Sequence, residues 1–130
     1  MEDSAFSDEF CRFIQTCVTS VDSAELLLKL SEQPDVWFEP AVLARSLGPN
    51  TAISDADLSR YVEQFHAGGL IVVGTDRRIR YRPASGTHAK HVEMLAQAYK
   101  ERPVTLFRVI YALRDLKIQS FADAFKLRRK

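Results

Sequence analysis

The chain is poor in cysteine, proline and glycine, has a single tryptophan, and contains no long apolar run. Two cysteines in 130 residues exclude a disulfide-built scaffold. Cys11 and Cys17 stand six positions apart in a helical pattern, about 1.7 turns, so they face different ways and cannot bond within that helix. They read as buried thiols acting as small apolar side chains, the alternative being a redox pair acting between subunits. Five prolines and five glycines leave no repeat-rich or low-complexity stretch. No window approaches the ~18 uninterrupted apolar residues of a membrane span, so no membrane association is expected. Glu2, Asp3, Asp8 and Glu9 are the wrong charge for a secretory leader, and a cytoplasmic address is expected.

Motifs of catalysis are missing too. There is no G-x-S-x-G, no glycine-rich phosphate cradle and no H-E-x-x-H. Cys11 and Cys17 lie in an acidic amphipathic stretch, the opposite of the positive setting that makes a thiol nucleophilic. His88 and His91 are spaced i, i+3, but only Glu93 lies near them in sequence, on a different helix face, so no metal site is expected. His66 stands at a helix end, where its cationic form is favoured. The expectation is a protein with no catalytic residues and no cofactor: a binding module.

What is present is an ordinary globular composition, 46% apolar and 27% charged, long enough to bury one core. The net charge of +1 hides a strong asymmetry. Residues 1–66 hold 4 Lys/Arg against 12 Asp/Glu, whereas residues 67–130 hold 14 against 5. Such a division suggests either a polyanionic partner for the second half or self-association of opposite faces.

Apolar residues from Phe6 to Val21 recur every three or four positions and predict an amphipathic helix ending near Thr19-Ser20. Asp22 and Glu25 have capping-box spacing for a second helix, closed by Pro34. Val36-Trp37-Phe38 predicts a small edge strand. Pro40 opens a third helix whose inner face is Val42, Leu43, Ala44 and Leu47, and which Gly48-Pro49 stops. Ser54 caps a fourth, with Leu58, Tyr61, Val62 and Phe65 pointing inward, and Gly68-Gly69 ends it. A hairpin follows. Leu70–Val73 is one strand, Gly74–Arg77 the tip, and Arg78–Arg82 the other strand, alternating so that Ile79 and Tyr81 face one way and Arg78, Arg80 and Arg82 the other. Beyond Pro83 and Gly86 a helix runs to about Glu101 with Val92, Leu95, Ala96 and Tyr99 inward. Pro103 seeds another, Val104 to about Leu116, apolar nearly all round and therefore expected to be buried on two sides, the second by another subunit. A last short helix, Phe121–Leu127, precedes the basic end Lys126, Arg128, Arg129 and Lys130.

The segments "SAELLLKL", "PAVLARSLG", "SDADLSRYVEQFHAGGLIVV" and "RRIRYRP" give residues 22–83 a resemblance to winged helix-turn-helix proteins, most of all to compact MarR-type bacterial regulators. The resemblance implies a mainly α fold with a small β-hairpin, a winged helix-turn-helix with additional N- and C-terminal helices. The core would be residues 22–83 of a single domain, 1–130, with the N-terminal helix 6–21 and the C-terminal helices 87–127 packing on it. It further implies a transcription regulator that binds duplex DNA as a homodimer. On that basis Arg77, Arg78, Arg80 and Arg82 would meet the backbone, and Ser59, Arg60 and Gln64 would face base edges. Phe107, Ile110 and Tyr111 would lie in the dimer interface.

Physical chemistry supports the hairpin in this role, since alternating arginines neutralise phosphates and displace counterions. The helix over residues 54–67 is less suited, carrying Asp55, Asp57 and Glu63 against Arg60 alone. That acidic face and the Trp37-Phe38 segment motivate the alternative, a winged-helix adaptor for protein–protein interaction in a signalling or transcription complex.

Overall fold

The computed structural model describes residues 6–48 and 53–114. Helix α1 (Asp8–Cys17) starts where the Ser7 hydroxyl accepts from the Phe10 amide at 3.1 Å, with Asp8 and Glu9 at the positive end of the helix. Phe10, Phe13, Ile14 and Cys17 form its buried side. The helix is shorter than the periodicity suggests, because Val18 turns extended and the chain prepares a new start. The cap of α2 (Val21–Ser31) is Ser20, whose Oγ accepts from the Ser23 amide at 3.0 Å. Asp22, expected as that cap, sits instead in the first turn, where a carboxylate is also favoured. A hydroxyl two residues upstream reached the orphan amides first.

Helix α2 is central, touching α3, α5 and the third strand, and it buries Ala24, Leu26, Leu27 and Leu30. Ser23 is fully buried there with no partner for its hydroxyl among the described residues. An unsatisfied buried hydroxyl costs about 1–3 kcal/mol. Ser23→Ala, which also raises helix propensity, is therefore expected to leave stability unchanged or raise it by about 1 kcal/mol, read as an increased urea midpoint. A clear loss of stability would mean that the hydroxyl has a partner.

After α2, Asp35 adopts a left-handed φ of 69° and turns the chain into strand β1 (Trp37–Phe38). Helix α3 (Pro40–Arg45) follows with proline at its first turn, where the missing N–H has no helical partner to lose. Leu43 and Ala44 are buried, but Val42, expected inside, is 47% exposed. Two positions from Ala44 on a 3.6-residue turn is the far side of so short a helix. Pro49, expected to stop it, lies outside the described residues, and the helix has already ended at Ser46.

Helix α4 (Asp55–Ala67) is capped by Ser54, whose Oγ accepts from the Asp57 amide at 3.1 Å. It buries Leu58, Tyr61 and Phe65, with Val62 partly covered. The end follows a Schellman pattern. Leu70 N–H donates to Phe65 C=O at 3.0 Å and Gly69 N–H to His66 C=O at 3.1 Å, with Gly69 at φ 75°. Phe65 and Leu70, which hold the positions of the apolar pair that accompanies the motif, are both fully buried.

Strands β2 (Ile71–Val73) and β3 (Ile79–Tyr81) form the hairpin. Strand β1 pairs antiparallel with β3, so the sheet has three strands in the order β1-β3-β2. Ile79 and Tyr81 are buried on its inner face, as the alternation predicts. Helix α5 (Gly86–Glu101) buries Val92, Leu95 and Ala98. Ala96, expected inside, is exposed, because the face is centred on Leu95 and lies 100° round from it. A sixth helix, α6, is described over residues 103–114. Leu106, Val109 and Ile110 join the common core, and Phe107 meets Tyr99 edge-on at 5.8 Å. The predicted helix at 121–127 and the basic end lie outside the described residues. The described residues are thus mainly helical with one small antiparallel sheet, and no described helix is long and apolar enough to cross a membrane.

Candidate nucleic-acid interface

The tip of the hairpin is a tight turn closed by Arg77 N–H to Gly74 C=O at 3.0 Å and by Gly74 N–H to Arg78 C=O at 2.8 Å. Arg77 takes a left-handed φ of 69°, the position a glycine usually fills in a three-residue hairpin loop. Asp76 organises the loop, its carboxylate accepting from the Arg78 amide at 3.1 Å and lying 3.6 Å from the Arg78 guanidinium. Both side chains are more than half exposed, so this ion pair is solvated and weak.

Beyond the tip, β3 turns Arg80 outward between Trp37 on β1 and Val72 on β2, the residues directly opposite it. Its guanidinium lies over the Trp37 ring, 4.9 Å from the centroid. Arg80 Nε is buried with no hydrogen-bond partner among the described residues, and the indole face lends its charge cation–π support. Trp37 itself remains 41% exposed. A Cβ at Gly74 would come within 3.2 Å of the indole, so the glycine lets the ring lie close to the hairpin backbone. Arg78 and Arg82 are exposed on either side of Arg80. The outer face of the sheet is therefore cationic with one aromatic ring set into it. The sequence pattern revealed the arginines, but not that Trp37 joins them. That depends on β1 pairing with a strand some forty residues away.

The residues expected to read bases are differently placed. Ser59 and Arg60 are exposed on α4, but Arg60 is hydrogen-bonded and ion-paired with Asp57 one turn back and leans over Tyr61, 5.9 Å from the ring centroid. Gln64 is half-buried and its amide oxygen accepts from the Thr19 hydroxyl at 3.2 Å. Next to it the Ser20 hydroxyl donates to Tyr61 Oη at 2.9 Å. The α1–α2 elbow is thereby fastened onto α4. A cavity of about 420 Å³, bordered by Thr19, Arg60, Gln64 and Arg114, separates this elbow from the end of α6. The Gln64 amide thus serves an internal contact, and Asp55 and Glu63 dominate what α4 exposes with Arg60.

No family model, curated protein or solved structure matches the chain. The site must therefore be read from its own chemistry.

Of the residues assigned to a dimer interface, Ile110 is 1% exposed and belongs to the protomer's own core. Phe107 is partly covered by Tyr99, and Tyr111 alone is half exposed, with Val104 at 66% nearby in sequence. Neither cysteine is in a disulfide, and burial raises the Cys17 thiol above its ordinary pKa, which suits a packing role. His88 Nδ1 lies 2.6 Å from the Ser85 hydroxyl that caps α5, and His91 packs against Phe13 at a tilt of 33°, with centroids 5.2 Å apart. Among the described residues, no three His, Cys, Asp or Glu side chains converge as metal ligands would. Tyr99 donates to Glu25 at 2.6 Å, joining α5 to α2, and that carboxylate pushes the phenol up to about 12. Burial, with Glu93 adding to it, raises Tyr81 as well.

Proposed function

We propose that the chain is a winged-helix protein that binds duplex DNA through its hairpin and regulates transcription. The observation that carries the reading is the outer sheet face, where Arg78, Arg80 and Arg82 stand together with Arg77 at the tip, beside the Asp76 that pairs with Arg78. Two features of the fold support it. Elements from α2 to β3 follow the order helix, strand, helix, helix, strand, strand, and the sheet order is β1-β3-β2. Backbone contact by the wing is the main source of affinity in this reading. Arg60 and Ser59 are the α4 side chains left to approach base edges, whereas Gln64 would first have to leave Thr19. Dimerisation, if it accompanies binding, would use Tyr111 and the exposed part of Phe107.

The test is salt. A fluorescently labelled random duplex is titrated with protein at low and at near-physiological ionic strength. Each arginine–phosphate contact contributes a slope of about −0.9 to log affinity against log salt. Strong binding that fades steeply supports the reading, and binding that ignores salt sinks it.

A second reading, an adaptor that docks protein, draws on the Asp55 and Glu63 carboxylates exposed on α4. Glu63→Lys separates the two. It strengthens duplex binding if α4 approaches DNA, and impairs partner capture without creating duplex affinity if that face docks protein.

A further inference from the structure

Duplex phosphates account for the arginines on the sheet but leave Trp37 without a task. Large aromatic rings lie on protein surfaces at a cost in apolar exposure, and this one is 41% exposed on the edge strand beside the arginines of β3. It is also held in place. Register sets it opposite Arg80, the guanidinium covers it at 4.9 Å, and Gly74 allows the six-membered ring to approach the backbone at the hairpin tip. A rigid indole with a cation against it offers its remaining area to a flat π system. Arg78 and Arg82 stand on either side of Arg80 in the neighbouring strand, about 13 Å apart at ~3.3 Å per residue, so they span two intervals between successive phosphates of an extended strand. Aromatic rings interleaved with cations form the stacking platforms on which unpaired bases rest. A base inside a duplex cannot use such a platform, because its faces are already stacked on its neighbours.

We propose that the outer face of the sheet binds single-stranded nucleic acid, with Trp37 stacking on an unpaired base while Arg78 and Arg82 hold phosphates two intervals apart along the strand and Arg80 braces the ring. The inference shares the cationic face with the duplex reading but needs a base, not only a phosphate, at the surface. The stack that joins β1 to β3 would otherwise be a purely structural clasp, and the experiment separates these roles.

Trp37 is the single tryptophan, so emission excited at wavelengths that tyrosine does not absorb reports on this site alone. The full chain is titrated at low salt with a dT 12-mer, an rU 12-mer, a random duplex and inorganic polyphosphate, which carries charge without bases. The expected result is strong quenching by a single strand, and little change with polyphosphate or duplex even where anisotropy shows that they bind. Quenching by rU alone would place the natural ligand among RNAs, by dT alone among DNAs. Equal quenching by polyphosphate, or binding of both single strands without quenching, overturns the proposal. Trp37→Leu is expected to weaken the single strand about 10- to 100-fold and to leave duplex affinity within about 3-fold. Because that variant also loses the clasp, Trp37→Tyr is made alongside and should retain most of the affinity. Duplex binding without a single-strand signal defeats this inference and spares the proposed function. Single-strand quenching without duplex binding does the reverse.

Discussion

Replacing Gly68 by alanine is expected to destabilise the protein by about 1–3 kcal/mol, the range for forcing extra volume into a packed site. The sign is not obvious from the backbone. Gly68 has φ −80° and ψ 0°, a conformation alanine adopts freely, and at such a site the substitution alone would stabilise by about 0.4–1 kcal/mol through the unfolded chain. The surroundings decide otherwise. A Cβ there would lie 2.5 Å from Cys17 Sγ and 3.2 Å from the Gln64 carbonyl oxygen. Cys17 is 5% exposed in the last turn of α1, so its sulfur has little room to give. The loss should appear as a lower urea midpoint at unchanged m-value. Cys17→Ala/Gly68→Ala carries the stronger test. Removing the sulfur clears the space that the new methyl needs, so the double variant should be more stable than the sum of the single effects by about 1 kcal/mol or more. Strict additivity would show that α1 and α4 are not packed as closely as described.

That contact illustrates what was legible in the chain and what was not. The double glycine announced the end of α4, because a left-handed residue after a periodic apolar stripe is a local signal, and Gly69 fills that place. Ser54, Pro40 and the alternation of Ile79 and Tyr81 with arginines were local in the same sense. Gly68 is different, since its need for a missing side chain comes from α1, some fifty residues earlier. The start of α2 is ambiguous in sequence because Ser20 and Asp22 both have capping chemistry, and in the fold it is Ser20 that takes the cap. Gln64 looked free to meet a ligand because nothing near it in sequence foretells Thr19. Ile110 looked available to a second subunit because an almost wholly apolar helix does not declare which side faces its own core. Local signals set the elements, and long-range contacts decided which of their side chains remain available for function.

Arg78→Ala/Arg82→Ala is expected to abolish most of the duplex affinity while leaving the fold intact. Both side chains are exposed, and neither belongs to the core or to the Trp37 stack, so the stability cost should stay within about 0.5 kcal/mol. Loss of two phosphate contacts removes about 1.8 from the salt slope, which at ~50 mM salt is a weakening on the order of 100-fold. If two protomers share one duplex, four contacts vanish, the slope falls by about 3.6, and the affinity loss approaches the square of that factor. The size of the slope change therefore counts the protomers on the DNA. Arg78→Lys/Arg82→Lys should keep the slope, because counterion release depends on charge rather than on the guanidinium fork. A base-reading role for these arginines would instead make lysine nearly as damaging as alanine on one preferred sequence and harmless on random duplex. Unchanged affinity in the alanine variant would remove the wing from the interface. The acidic surface of α4 would then be the chain's principal docking face, and protein rather than DNA its partner.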